Sequence, residues 1–310
     1  SGRACDHYHR FREDFDIARS LGHNAHRFSI EWSRVEPEEG KFNEQEIEHY
    51  REVVRALRER GMEPFVTLWH WTNPVWFAER GGWEKRDASI IFSRFCERIA
   101  GEMKDDVRYW LTGNELETFA RHGYFLGDRP PGTRNPFRSY AVLRNLAFAH
   151  CAAYETLKKV NATFQVGFTE NLVHFEPYDK KPHNVLLLYL LKWWRNNPFL
   201  KNFLAASDFI VLQHYFHTRV RFGPHSQWWV QYNENRRVSD FGWEIHPESI
   251  YHVLKELSAY QKPIVVTENG LADARDHYRG VYIREHVAQI GKATQEGVDV
   301  RGYFHWALLD

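Results

Sequence analysis

Two stretches of this chain end an apolar run in an amide beside a carboxylate. Pro263 to Gly270, Pro-Ile-Val-Val-Thr-Glu-Asn-Gly, reads as a buried parallel strand that stops at Glu268. Trp110-Leu111-Thr112-Gly113-Asn114-Glu115 has the same ending, with the amide first. A carboxylate at the end of an apolar strand must be hydrogen-bonded, paired or functional, because burying it bare costs roughly several kcal/mol. Facing each other across the mouth of one barrel, the two suit glycoside hydrolysis. One carboxylic acid protonates the leaving oxygen while the other attacks or activates water, and the two roles require different pKa environments. Other strand ends supply Arg27, His70-Trp71, Tyr215 and Trp306. Singly, His70 reads as a satisfied buried histidine and Trp306 as core. Gathered at neighbouring strand ends, they are hard to explain as packing alone.

The elements that must position these residues follow from periodicity. Tyr8–Leu21 reads as a helix stopped by Gly22, and His26–Ile30 as a strand. Ile47, Tyr50, Val53, Val54 and Leu57 share a helical face, Gly61 ends it, and Phe65–His70 is the next strand. The alternation continues with a helix over Ile91–Met103, a strand over Val107–Asn114, a helix over Ser139–Val160 and a strand over Phe164–Thr169. A helix over Asn184–Ala206, interrupted at Pro198, precedes a strand over Asp208–Tyr215. Pro247 opens a helix to Tyr260 before the strand at 263, and Val281–Glu296 is the last helix before Val300–Leu308. Seven strands separated by helices imply a parallel α/β sheet closed as a (β/α)8 TIM barrel. The first strand of such a barrel is expected before Ser1 and its last helix beyond Asp310. No linker or low-complexity tract divides residues 1–310, so a single domain is expected.

Composition narrows the function. Lys plus Arg and Asp plus Glu both number 41, a balance without the electrostatic footprint of a nucleic-acid binder. The longest apolar block, Val185–Leu191, is too short to span a membrane. Cys5, Cys96 and Cys151 are odd in number and widely spaced, which points to reduced thiols and a cytoplasmic location. Aromatics make up 16% of the chain, with 12 Trp, and flat apolar faces with polar edges are what a sugar ring stacks on. No metal motif is assigned: His7-Tyr8-His9 lacks a carboxylate or cysteine companion and reads as structural. Val185–Trp194 is apolar on every side and reads as a helix wedged between the barrel and a loop. The sharper alternative is a slot for a planar ligand such as haem.

The chain resembles glycoside hydrolase family 1, the β-glucosidase and β-galactosidase family of retaining enzymes. The resemblance rests on Ala4–Arg10, Arg27–Arg34, Val66–Trp71, Asp208–Ile210, Gly242-Trp243 with Pro247, Thr267–Gly270 and Gly302–Trp306, in the family's order. It implies Glu268 as nucleophile and Glu115 as general acid and base, with carboxyl groups roughly 5 to 5.5 Å apart. It further implies Arg27 and Tyr215 as supports of the nucleophile, and Asn114 as the partner of the sugar 2-hydroxyl. His70 and Trp71 would contact other hydroxyls of the ring, and Trp306 would lie beneath it as a platform. The substrate is then a β-glycoside or oligosaccharide, with no cofactor required and no nucleic acid or membrane partner; the oligomeric state is left open. Gly113 and Leu116 depart from the family's Thr-Leu-Asn-Glu-Pro and are expected to loosen the acid's backbone. Thr72 stands where aspartate is common, and Ala307 where serine is. Gln213-His214-Tyr215 replaces Asn-Tyr-Tyr, keeping at Gln213 a substrate-binding amide displaced by one methylene. These departures motivate a rival reading, a weakened barrel that binds carbohydrate or an apolar ligand without efficient turnover. Interception of the covalent intermediate by an alcohol, making a transglycosylase, is a lesser option. Aglycone contacts fall in the loops 116–136 and 218–246.

Overall fold

The computed structural model describes residues 4–196, 200–215, 217–222 and 237–309. Its strands are β1 Ala25–Ser29, β2 Glu63–Thr67, β3 Tyr109–Leu111, β4 Gln165–Gly167, β5 Thr169–Asn171, β6 His174–Pro177, β7 Ile210–Gln213, β8 His217–Val220, β9 Ile264–Glu268 and β10 Val300–Tyr303. Two sheets run β1-β2-β3-β4 and β10-β9-β7-β5, and β6 pairs with β8. The chain divides into two compact units, Ser1–Glu170 with Phe203–Asp208 and Leu308–Asp310, and Asn171–Asn202 with Phe209–Ala307.

In the first unit β1 pairs with β2, β2 with β3 and β3 with β4, all parallel. Helices His7–Ser20, Glu44–Glu59, Ala88–Glu102 and Pro136–Val160 connect or flank these strands. Helix Glu44–Glu59 begins where the Asn43 side chain accepts from the N–H groups of Gln45 and Glu46, at 3.0 and 3.3 Å. Its apolar face, including Val53 and Leu57, packs with Phe11, Phe15, Ala18 and Met62. A second core is aromatic: Trp32 lies against Phe77, Phe92 and Phe95 with ring centroids 4.9, 5.6 and 5.0 Å apart. Trp32, Trp69, Trp83 and Trp110 are each under 2% exposed, so a good part of the tryptophan excess is packing rather than sugar platform.

In the second unit β9 pairs in parallel with β7 on one side and β10 on the other. Every residue of β9 is buried, as expected of a parallel strand covered on both faces. The parallel pair β6 and β8 was not legible beforehand. Leu191 of helix Pro182–Asn196 packs on it with Val173, Phe175 and Val220, and Leu187 and Leu188 join the cluster. Leu186, Tyr189, Leu190 and Trp193 of that helix are more than half exposed. The wedge expected for 185–194 is therefore corrected: one face packs and the other meets solvent, because apolar composition alone does not fix which face finds a partner. The break expected at Pro198, the side chain of Trp194 and residues 223–236 of the loop 218–246 lie outside the described residues. No described helix is long and apolar enough to cross a membrane.

Candidate active site

The first unit gathers four of the expected residues around Asn114. Parallel pairing of β1 with β2 sets Arg27 opposite Phe65 and two residues from the Ser29–Thr67 pair. The Arg27 guanidinium donates to Thr67 Oγ1 at 3.0 Å and to Asn114 Oδ1 at 2.6 Å. The chain leaves β2 through Trp69 and His70 into Trp71, whose φ of 74° is uncommon for a bulky side chain. Trp71 is held there by its Nε1–H, which donates to the Asn114 carbonyl at 2.8 Å. Burial and the nearby Arg27 charge push His70 down to about 4, so its imidazole is neutral at neutral pH.

Glu115 is 6% exposed and also lies in the left-handed region, at φ 44°. Its amide N–H is held by the carbonyl and by Oγ1 of Thr169, both at 2.9 Å, while its own carbonyl accepts the N–H of Phe119 at 2.9 Å. Thr169 Oγ1 also lies 3.0 Å from the Gly113 carbonyl and 2.9 Å from Asn114 Oδ1. One hydroxyl on β5 thus ties together the three residues that end the fourth-strand motif. Sequence reading missed Thr169, whose only signal was a polar residue closing an apolar strand. The glycine at position 113 has a packing reason. A Cβ at Gly113 would lie 2.7 Å from Leu116 Cδ2 and 3.2 Å from Trp69 Cε3, so Leu116 fills the space the glycine leaves. Thr169→Val should lower kcat/KM for a nitrophenyl β-glucoside about 5- to 30-fold, through the roughly 1–2 kcal/mol lost with one buried hydrogen-bonding group. Thr169→Ser, which keeps the hydroxyl, should stay near wild type. Thr72, at the common aspartate position, donates to Glu31 Oε2 at 2.8 Å.

In the second unit, the register pairs Gln213 with Glu268 after a bulge at Leu212/Gln213. Glu268 is 4% exposed, and the Tyr215 hydroxyl donates to its Oε2 at 2.5 Å. Alternation along the strand turns His214 away from this carboxylate. His214 is fully buried, bonded through Nδ1 to the Leu172 carbonyl at 2.8 Å and through Nε2 to Ser249 Oγ at 2.6 Å. Burial pushes it down to about 3, and it acts as a neutral clamp between segments. This departure from the family pattern is directed into the interior, away from Glu268.

Asn269 fixes the end of β9. Its Nδ2 donates to the His214 carbonyl at 2.7 Å and to Tyr282 Oη at 2.9 Å, and its Oδ1 accepts from Tyr303 Oη at 3.0 Å. Tyr282 in turn donates to the Tyr215 carbonyl at 3.3 Å, so the base of the Glu268–Tyr215 pair is one connected network. Trp306 follows β10, its backbone N–H donating to the Asn269 carbonyl at 3.0 Å, and the residue is 49% exposed, so it is not core. A Cβ on Gly270 would lie 2.1 Å from the Trp306 carbonyl oxygen, a backbone atom. Gly270→Ala must therefore displace the Trp306 segment. Overpacking of this kind costs about 1–3 kcal/mol, so the variant should melt several degrees lower and bind sugar more weakly, measured by thermal unfolding and KM.

Comparison with known proteins matches this architecture. The family model for glycosyl hydrolase family 1 covers residues 1–206 and 202–310. β-Glucosidase A of Thermotoga maritima is 32% identical, over 99% of this chain and 78% of its own length. The solved β-glycosidase from Pyrococcus horikoshii superposes with a TM-score of 0.89 at 34% identity, covering 99% of this chain and 76% of that one. A T. maritima β-glucosidase in complex with castanospermine gives 0.92 at 29% identity, covering 99% and 78%. Parallel βα units with this fold and two strand-end carboxylates define a (β/α)8-barrel O-glycosyl hydrolase. The chain belongs to glycosyl hydrolase family 1 and is a retaining β-glycosidase.

Proposed function

We propose that residues 1–310 act as one catalytic barrel in which Glu268 and Glu115 address opposite sides of a single sugar ring. Glu268 attacks the anomeric carbon as Glu115 protonates the leaving oxygen. Water deprotonated by Glu115 then releases the sugar with net retention. The hydroxyl of Tyr215, 2.5 Å from Glu268 Oε2, is the observation that carries the assignment. It orients the carboxylate for attack on the anomeric carbon. Arg27, bonded to Thr67 and Asn114, is assigned to support the nucleophile, as the family resemblance implies.

Asn114, its side-chain oxygen pinned by Arg27 and Thr169, presents its amide to the 2-hydroxyl, where hydrogen bonds strengthen in the oxocarbenium-like transition state. Neutral His70, Trp71 and Gln213 bind other hydroxyls, and the exposed indole of Trp306 stacks beneath the ring. The substrates are small β-glucosides or β-galactosides, and the chemistry of two carboxylates and water requires no cofactor. A cytoplasmic location accords with the free thiols of Cys5, Cys96 and Cys151. The test is turnover of nitrophenyl β-glycosides, together with mass spectrometry after exposure to a 2-deoxy-2-fluoro glycoside. The label should fall on Glu268, and a label on any other carboxylate would overturn the assignment.

A further inference from the structure

One cluster in the second unit has no part in this chemistry. The pair β6–β8 is in register His174 with His217, Phe175 with Thr218, Glu176 with Arg219 and Pro177 with Val220. Alternation gives the ribbon two faces. Phe175 and Val220 pack with Val173 and Leu191, while His174, Glu176, His217 and Arg219 point the other way. The segment before helix Glu248–Leu257 brings Glu244 and His246 to that polar face. The His217 and His246 rings lie 4.0 Å apart, centroid to centroid.

We propose that Glu176, His217 and His246 are the protein ligands of a divalent metal ion of the zinc type, which ties the β6–β8 ribbon to the entry of helix Glu248–Leu257. One ligand atom from each of the three lies within 4.8 Å of the others. His217 is 3% exposed, yet neither ring nitrogen makes a hydrogen bond; Nε2 lies 3.4 Å from Glu244 Oε2 without the required alignment. His246 Nδ1 is also without a hydrogen bond. A buried imidazole is normally satisfied on at least one side, so two empty nitrogens beside a carboxylate and a second imidazole call for a ligand. Two imidazoles and one carboxylate suit zinc and its neighbours rather than magnesium or calcium, which take oxygen.

Charge is consistent with this. Glu176 and Glu244 share one guanidinium, Arg219, at 3.4 and 2.9 Å. Arg219 is thereby committed to Glu244 and to one oxygen of Glu176, and the other oxygen of Glu176 lies 3.5 Å from His174 Nε2. Ligand atoms around a tetrahedral zinc, with bonds of about 2.0–2.1 Å, are about 3.3 Å apart. Closing from the present spacing takes rotation of the half-buried Glu176 and His246 about a fixed His217, with the stacked rings opening toward a common ion. His217 stands two positions beyond Tyr215, so an ion here would also steady the segment that carries the tyrosine.

The experiment uses the full chain, stripped with a chelator and dialysed. Calorimetric titration with Zn2+ should show one saturable site per chain. Co2+ should give a visible d–d band that Zn2+ displaces, and Zn2+ but not Mg2+ should raise Tm by several degrees. Glu176→Gln and His246→Gln, both at half-buried positions, should fold by circular dichroism yet lose at least tenfold in Zn2+ affinity; His217→Ala should abolish the band. His9→Ala should bind as wild type. Absence of saturable binding in the wild type overturns the proposal, and so does binding that survives in both glutamine variants. Neither outcome touches the glycosidase assignment, which is read from turnover and labelling.

Discussion

Glu268→Gln should lower kcat for a nitrophenyl β-glucoside by at least about 10⁴-fold, on the order of 5 kcal/mol of transition-state stabilisation, because loss of a covalent nucleophile removes the reaction path itself. The substitution is close to isosteric. An amide oxygen still accepts from Tyr215 Oη, and the buried strand Ile264–Glu268 keeps its backbone pairing, so the variant should melt near the wild type. What disappears, on the proposed assignment, is the carboxylate oxygen that forms the glycosyl bond. The decisive measurement pairs turnover with intact-mass analysis after a 2-deoxy-2-fluoro glycoside. The wild type should gain one sugar on Glu268 and the variant none. Turnover within tenfold of wild type in a folded variant would reassign the nucleophile.

Glu115→Ala should give a different signature from the same assay. Removing a general acid and base costs about 10²–10⁴-fold, but the cost depends on which step needs the proton. A dinitrophenyl leaving group departs without protonation, so the first step should survive and the second, which needs water deprotonated, should stall. The expected trace is a burst of dinitrophenolate followed by a slow steady state, with the intermediate detectable on Glu268. Alkyl glycosides, which need the acid, should lose both steps. Azide attacks without a base and should restore turnover of the activated substrate, giving a glycosyl azide. Equal loss on activated and alkyl glycosides, with no burst and no rescue, would remove Glu115 from the role. The variant keeps its backbone ties to Thr169, and the fold around it should persist.

Much of this architecture was legible in the sequence because its signals are local. A β-branched run after Pro263, an amide beside a carboxylate and a closing glycine mark β9 and its reactive end without any knowledge of neighbours. The helical face of Ile47, Tyr50, Val53, Val54 and Leu57 is likewise a property of spacing, and all five are buried. The parallel strands β1, β2, β3, β4, β7, β9 and β10, and the positions of Asn114, Glu115, Glu268 and Trp306 at or just beyond strand ends, follow from such patterns; the short strands β5, β6 and β8 do not.

What only the tertiary structure decided is which groups meet across registers and segments. Thr169 reaching back to Gly113, Asn114 and Glu115, and Tyr282 and Tyr303 converging on Asn269, are contacts between residues far apart in the chain, and periodicity carries no information about them. The same limit explains His214, which looked like a change to the sugar site until alternation turned it inward onto Leu172 and Ser249. It also explains the histidines and glutamates of β6, β8 and the 244–246 segment, ordinary polar residues in sequence that become a cluster only through strand pairing. A side chain's type and the direction it takes from its own strand are set by the local sequence. Its partner is set by where other strands happen to run, and that is fixed by the packed whole.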